Sequence, residues 1–314
     1  MTERAVTFHD SYWYCYANST AMLLASVGET ISPRLIEALS GVGLGAFQNR
    51  QDLPFFSGLT GKPDAGISAA LDLLGFAFSE SASEESTPAP FERLQALLKD
   101  SAVVIGPLDM SHLTYNPMRP RQSGIDHFVL VFGVEGERFR LHDPAGFANV
   151  LIEHDDLQAA WQAESIAYRN GHYRRWSHAW RKRQVSDDAL YDATLEFFRN
   201  QYLAASVLAD EQNETIDGAL IRHWAKTASH GEFTDSVIGH LTHFALPLGA
   251  KRALDYATFF NAHHAALADL KHQQAVAFGA CHSAMMKKSW REAGDRLLRI
   301  ADLEEAIAQA IRIA

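Results

Sequence analysis

The spacing of apolar residues changes near residue 185, and this change limits the folds open to the chain. Before it, glycine, proline and short β-branched runs alternate with helical stretches. After it, segments such as SDDALYDATLEFFRNQYLAAS and LEEAIAQAIRIA repeat apolar residues at helical spacing, with Asp, Ser or Thr at expected helix starts. We therefore predict two domains: an α+β domain over residues 1–184 and an α-helical bundle over residues 185–314.

Three segments of the first half are predicted strands, residues 102–109, 127–136 and 138–144. A glycine-containing turn separates the last two, which indicates an antiparallel hairpin. Residues 79–90 are rich in Ser, Glu and Pro and predict a solvated loop.

Composition excludes several classes of protein. The net charge of −10 over 314 residues argues against a general nucleic-acid binder, whose surface would be basic. The longest apolar runs, such as FVLVFGV, have the length of strands, so we expect no membrane span. The first residues lack the apolar core of a secretory signal, and two cysteines form no disulfide framework. We expect a cytoplasmic protein in a reducing compartment.

Cys15 precedes a run of good helix formers that ends at Gly28. A helix that starts at Cys15 directs its positive end and unpaired amides at the sulfur, which favours the thiolate. Cys15 is therefore a candidate nucleophile. The alternative is a small buried apolar residue, the usual role of an isolated cysteine.

His127 and Asp143 supply what a thiolate nucleophile needs, a base and a group that orients the base. His127 opens one predicted strand and Asp143 closes the next. In an antiparallel hairpin these two positions lie side by side. The order of Cys, His and Asp thus predicts a catalytic triad, although each residue alone also fits an ordinary surface position.

Four segments together carry a resemblance to a known family: CYANSTAMLL, GVGLGAF, GPLDMSHLTYNP and DHFVLVFGVEGERFRLHDP. Over roughly residues 5–180 the chain resembles the N-terminal domain of the butirosin biosynthesis protein H family, and the helical remainder is similar to the domain that commonly follows it. The resemblance implies a papain-like cysteine-protease fold with an antiparallel sheet.

The resemblance also implies acyl transfer in natural-product (antibiotic) biosynthesis. Cys15 would take an acyl or aminoacyl group from a carrier-protein thioester, His127 would move protons, and Asp143 would orient His127. The donor is the phosphopantetheine arm of the carrier protein, and the acceptor is a small-molecule amine. No bound cofactor is expected.

One part of the papain-like pattern is missing, because no glutamine precedes Cys15. Its oxyanion-binding role would fall to the Cys15 backbone amide together with His9 or Asn18. Thioester exchange on a cysteine is nearly neutral in energy, whereas amide cleavage needs more help for the leaving group. A transferase is therefore favoured over a peptidase or amidase with the same triad, and a non-catalytic binding module is a third reading.

Four polar residues are candidates for substrate binding. Gln48 follows a glycine-rich turn that lacks the lysine and spacing of a phosphate-binding loop. Asp109, Tyr115 and Asn116 lie in the connection that leads to His127, and such connections often line substrate sites. An ordinary structural loop is the alternative for both segments.

The remaining candidates are basic residues and histidines. Arg174, Arg175 and Arg181 belong to a basic, aromatic segment in an acidic chain, and we predict that they dock an acidic carrier protein. The alternative is a solvated interdomain strand and linker. The histidines do not predict a metal site, because His240 and His243 lack carboxylates at a suitable spacing. For the oligomeric state, the sequence is compatible with a homodimer.

Overall fold

A computed structural model describes residues 6–9, 13–83 and 89–314, which divide into two compact units. The first unit runs to Ile36 and resumes over Pro63–Val185, and the second contains Glu37–Lys62 and Ser186–Ala314. The division after Val185 lies one residue beyond the predicted boundary. The segment Glu37–Lys62, however, belongs to the helical unit, in which the Gly45 amide donates to buried Glu304 and the Ala46 amide donates to half-buried Asp217.

The structure contains eight strands within the described residues. They are β1 (Phe47–Gln48), β2 (Pro54–Phe55), β3 (Phe76–Ser83), β4 (Val103–Asp109), β5 (Asp126–Glu135), β6 (Arg138–Asp143), β7 (Phe147–Glu153) and β8 (His172–Arg181).

Helices connect the strands of the first unit and form most of the second. They are α1 (Cys15–Ala25), α2 (Pro33–Leu39), α3 (Pro63–Leu73), α4 (Ala89–Leu97), α5 (His154–Gln162), α6 (Asp187–Gln212), α7 (Asp217–His230), α8 (Asp235–His240), α9 (Leu246–Phe260), α10 (Ala265–Met286) and α11 (Trp290–Ile313). Short 3₁₀ turns cover Met110–His112 and Arg119–Arg121, and a π-helical turn covers Leu241–Ala245.

The first unit is built on a six-stranded antiparallel sheet with the order β3-β8-β4-β5-β6-β7. The predicted hairpin is confirmed: β5 pairs with β6, and Val131 lies opposite Leu141. The mixed helix and strand content of this half and the helical content of the other half are likewise confirmed.

Side chains of β5 pack on both faces of the sheet, because successive side chains of a strand point to opposite sides. Phe128 faces α1, where its ring lies 6.1 Å from the Tyr16 ring. Val129 and Val131 join a core with Trp161 of α5 on the other face. Helix α1 is therefore fixed against the strand that carries His127.

The prediction of a loop over residues 79–90 is wrong for part of that stretch. β3 extends to Ser83, and α4 begins at Ala89, whereas residues 84–88 lie outside the described residues. β3 is an edge strand that pairs only with β8 in this sheet. Its polar, partly exposed side chains give it the composition of a loop.

The second unit is helical apart from the β1–β2 hairpin, in which Phe47 lies opposite Phe55. Ser186 caps α6, since its side chain accepts from the Ala189 amide at 3.3 Å. Phe198, Tyr256 and Phe260 are fully buried among these helices. No helix in the part of the chain that the structure describes combines the length and apolar character needed to cross a membrane.

Candidate active site

Cys15 is the first residue of α1, and its side chain is partly exposed. Tyr14 precedes it in the left-handed conformation, with φ of 68°. Along the helix, Ser19 Oγ donates to the Phe128 carbonyl oxygen at 3.1 Å. The sulfur therefore lies at the positive end of a helix that is bonded to β5, where the first-turn amides have no partner within the helix.

His127 and Asp143 meet across the β5–β6 hairpin, as the sequence predicts. His127 Nε2 lies 2.5 Å from Asp143 Oδ1, and the two side chains are 5% and 0% exposed. A carboxylate this close to an imidazole nitrogen fixes the ring orientation and keeps the proton on that nitrogen.

Cys15 and His127 interact electrostatically, and the interaction with Cys15 is one of the causes that raise the pKa of His127. Since Nε2 is engaged by Asp143, Nδ1 is the ring nitrogen left for the sulfur. Burial favours the neutral imidazole, but the charges of Asp143 and Cys15 and the hydrogen bonds to both outweigh burial and raise the pKa of His127 well above its ordinary value. The arrangement favours the imidazolium form of His127.

Asp143 receives more than one donor. The backbone amide of Ala145 donates to Oδ1 at 2.7 Å, and the Tyr115 hydroxyl donates to Oδ2 at 2.9 Å. Burial opposes ionisation of Asp143, but the charge of His127 and these hydrogen bonds lower its pKa below the ordinary value. Asp143 is thus held as a carboxylate.

The structure corrects the prediction for Asn18 as an oxyanion donor. Both hydrogens of its side-chain amide are used, by the carbonyl oxygens of Trp13 at 3.1 Å and Tyr14 at 2.9 Å. The buried amide holds the chain at the start of α1. It has no hydrogen left for a substrate oxygen.

His9, the other oxyanion candidate, lies in the short described segment 6–9 and is partly buried. This segment runs beside β6, where His142 Nε2 donates to the Val6 carbonyl oxygen at 3.2 Å. Phe8 also packs on the His142 ring, with centroids 5.3 Å apart. His142 directly precedes Asp143, so His9 stays a candidate for the second donor.

The hydrogen bonds of Asp109 and Asn116 lie mainly within their own connection, and their role as substrate ligands stays a prediction. Asp109 is buried and accepts from Ser111, Gly124 and Ser165. The Asn116 side chain donates to Gln122 at 3.0 Å and accepts from the Met118 amide at 2.9 Å. These bonds fix the path of the loop. The sequence showed polar residues but could not show that they bond to one another.

Gln48 belongs to the second unit, so it is not part of the sheet domain that carries Cys15. Its side chain donates to Asp52 at 3.1 Å and accepts from Trp224 Nε1 at 2.9 Å. Both ends of the amide are engaged in the β1–β2 hairpin and the adjacent helix. The observed contacts of Gln48 are therefore structural, and its role in substrate binding stays a prediction.

The three arginines predicted to dock a carrier do not form an exposed basic patch. Arg174 and Arg175 are buried, with 8% and 7% exposure. Arg174 pairs with Glu80 and lies 3.5 Å from Asp64, whereas Arg181 binds Glu29 through two bonds of 2.8 and 2.6 Å. β8 is an interior strand of the sheet, so its arginines face internal carboxylates.

The sequence did not predict the contacts of two tyrosines, Tyr115 and Tyr168. Tyr115 contacts Asp143 instead of serving only the substrate. Tyr168 donates to Asp126 at 2.7 Å, and burial and the charges of Asp126, Asp64 and Cys15 raise its pKa well above the ordinary value. The only sequence signal was the aromatic character of the segment before β8.

Comparison with known proteins gives the family. Over 297 residues the chain is 38% identical to the uncharacterized protein YobF of Bacillus subtilis strain 168, with 93% of this chain and 94% of that protein covered. The chain belongs to the YobF family. A family model described as the YobF C-terminal domain matches residues 210–312, within the second unit.

A solved structure gives a more distant likeness. The peptidase domain of Streptococcus ComA, a bi-functional ABC transporter involved in a quorum-sensing pathway, is 13% identical with a TM-score of 0.35. The match covers 56% of this chain and 98% of that domain. At this TM-score the likeness carries no argument about the reaction.

Proposed function

We propose that the protein is a cysteine-dependent acyltransferase that works through an acyl-Cys15 intermediate in a papain-like arrangement. The observation that supports it is the coupling of three side chains: Cys15 at a helix start, His127 whose pKa is raised in part by Cys15, and Asp143 at 2.5 Å from the imidazole. Covalent catalysis requires a nucleophile, a base and an orienting group, and Cys15, His127 and Asp143 are the residues that would fill these roles.

In the first half-reaction, Cys15 Sγ attacks the carbonyl carbon of a thioester. A sulfur–carbon bond forms, and the carbonyl electrons move onto oxygen. When the oxyanion collapses, the bond to the donor sulfur breaks, and His127 gives that sulfur its proton. The backbone amide of Cys15 is the first oxyanion donor, and His9 is the candidate for the second.

In the second half-reaction, an amine attacks the carbonyl carbon of acyl-Cys15. His127 accepts the amine proton, the carbon–sulfur bond breaks, and the products are an amide and the free Cys15 side chain. Asp143 stabilises the imidazolium in both halves, since its carboxylate stays ionised.

The resemblance to the butirosin biosynthesis protein H family supplies the substrate classes of the proposal. The donor is an acyl or aminoacyl thioester on the phosphopantetheine arm of a carrier protein, and the acceptor is a small-molecule amine in natural-product biosynthesis. Because the β8 arginines are engaged internally, they are not part of the carrier surface. Two cysteines present as free thiols fit a cytoplasmic enzyme.

The test is intact-mass measurement after incubation with an aminoacyl thioester of N-acetylcysteamine. We expect a mass increment on Cys15 that persists in buffer and is lost when an amine is added. Cys15→Ala should give no increment, and Asp143→Asn should slow its formation about a hundredfold or more, because the amide group holds the imidazole in the wrong tautomer.

Cys281→Ala is the matched cysteine control. Cys281 is fully buried, and burial raises the pKa of its thiol to about 12, so its removal should leave the increment unchanged. Rapid loss of the increment in buffer would overturn transfer in favour of hydrolysis. Absence of any increment in the wild type would overturn the enzymatic proposal in favour of a binding module.

A further inference from the structure

The Tyr115 hydroxyl makes a hydrogen bond to the residue that orients the imidazole. It donates to Asp143 Oδ2 at 2.9 Å, while Oδ1 of the same carboxylate contacts His127 Nε2 at 2.5 Å and the Ala145 amide at 2.7 Å. Tyr115 thus donates to Oδ2, whereas His127 contacts Oδ1. A residue of this kind acts on the reaction through Asp143 and not through the substrate.

We propose that Tyr115 is a positioning residue, whose hydroxyl fixes the plane of the Asp143 carboxylate and moderates the charge that this carboxylate exerts on His127. The inference rests on the proposed function, because positioning has meaning only for a reactive Cys15. It adds a fourth side chain to the Cys15–His127–Asp143 set.

The number and direction of the hydrogen-bond donors fix the plane of the Asp143 carboxylate. A carboxylate with donors on one oxygen only can rotate about its Cβ–Cγ bond. With Tyr115 on Oδ2 and His127 and Ala145 on Oδ1, rotation breaks a bond on either side. Asp143 has no exposed surface, so solvent does not replace the missing donor.

The loop around Tyr115 is itself held in place. Asn116 ties the loop to Met118 and Gln122, and the Tyr115 ring packs on Phe147 with centroids 5.5 Å apart. Phe147 lies opposite Asp143 in the β6–β7 register. The ring and the hydroxyl of Tyr115 therefore both contact the end of the hairpin that carries Asp143.

The hydroxyl remains a donor over the working range of pH. Burial, followed by the charge of Asp143 and the bond to it, raises the pKa of Tyr115 well above the ordinary value. Donation draws negative charge from the carboxylate. Removing the donor leaves more of that charge facing His127, which raises the pKa of the imidazolium further.

The experiment is the rate of Cys15 alkylation by iodoacetate between pH 5 and 10. Iodoacetate is an anion, so its attack is fastest while thiolate and imidazolium coexist, and the rate falls when the imidazolium loses its proton. For Tyr115→Phe we expect a maximal rate about tenfold lower. We also expect the alkaline limb to move up by about half a pH unit.

Tyr202→Phe is the matched control. It removes another buried tyrosine–carboxylate bond, of 2.7 Å to Glu304, within the helical unit. It should lower stability without moving the alkaline limb. A Tyr115→Phe profile that coincides with the wild-type profile would overturn the inference and leave Tyr115 a packing residue.

A second variant covers the case in which Tyr115→Phe does not fold. 3-Fluorotyrosine incorporated at position 115 keeps the ring and makes the hydroxyl a stronger donor, so the alkaline limb should move down. A limb that stays in place or moves up would contradict the inference. Neither measurement needs an acyl donor, so failure of acyl-Cys15 formation would count against the proposed function and not against this assignment.

Discussion

The imidazole of His127 is buried and yet has an increased affinity for its proton. Burial alone would remove the proton, because a charge is poorly solvated in the interior. The interactions of the imidazole with Asp143 and Cys15 outweigh this cost, and Asp143 contacts the ring directly. These charges therefore contribute to stability in a pH-dependent way.

The sign of that dependence follows from the two shifts. The raised pKa of His127 gives stability that is fully present below its ordinary value of 6.5 and is lost as pH rises through the folded value. The lowered pKa of Asp143 gives stability that is present above its ordinary value of 3.8 and is lost as pH falls through the folded value. The pair thus contributes most between these ordinary values.

We predict that His127→Gln lowers the free energy of unfolding by about 3 kcal/mol near pH 5.5, because it leaves Asp143 without its buried partner. The difference from the wild type should shrink as pH rises toward 9, as measured by urea unfolding. His178→Gln is the control, since its pair with Asp100 is exposed, and it should change little. A difference for His127→Gln that grows with pH would refute the sign.

At this scale the sequence predicted the three central residues but few of their neighbours. The helix start at Cys15 and the contact of His127 with Asp143 could be predicted because helix signals and a hairpin are local properties. The bond from Tyr115 to Asp143 joins residues 28 positions apart through a loop of irregular path. Nothing in residue type or spacing specifies that path.

Among the elements, β8 shows why the burial of a charged strand is difficult to predict from the sequence. An interior strand usually has an apolar pattern, whereas this strand carries buried arginines paired with carboxylates of other elements. Those carboxylates, Glu80 and Asp64, are far from Arg174 in sequence. The basic segment therefore resembled a surface patch, although the sheet places it beside β4.

The two arginines of this strand should differ in their contribution to stability. We predict that Arg174→Met lowers the free energy of unfolding by about 3 kcal/mol, because Glu80 and the buried Asp64 lose their shared cation. Arg181→Met should cost about 1 kcal/mol or less, since its pair with Glu29 is partly exposed.

Urea unfolding of both variants measures this, with Arg121→Met as the control, because Arg121 is exposed. Equal stability of the Arg174→Met and Arg121→Met proteins would contradict the internal role of Arg174. If the Arg174 variant were stable but bound an acidic carrier protein more weakly, the docking interpretation would return.

For the whole molecule, the important fact is that the helical unit includes a segment from the first part of the chain. Glu304 accepts from the Gly45 amide at 2.8 Å, from Tyr202 at 2.7 Å and from Gln274 at 2.7 Å. Sequence texture places a change of composition near residue 185, and the two compact units divide after Val185. It could not reveal this segment, because Gly45 and Glu304 are 259 positions apart.

The segment Glu37–Lys62 also contains the carboxylate that pairs with the buried guanidinium of Arg252. Glu37 accepts from Arg252 at 2.7 Å, and both side chains are almost fully buried. A chain that lacks this segment would remove the Glu37 carboxylate from Arg252. It would also remove the Gly45 amide from Glu304 and the Ala46 amide from Asp217. An unpaired buried charge costs several kcal/mol. Residues 186–314 alone therefore lack groups on which their core depends.

We predict that a fragment of residues 186–314 keeps its helical far-ultraviolet circular dichroism but unfolds over a broad range of urea and binds a hydrophobic dye. Joining residues 37–62 to its start through a flexible Gly/Ser linker should restore a single cooperative transition. Glu304→Ala in the joined protein should remove much of that gain, because the Gly45 amide and Tyr202 lose their common acceptor. If the fragment alone unfolded as sharply and at the same urea concentration as the joined protein, the segment would be an addition to the helical unit and not part of its core.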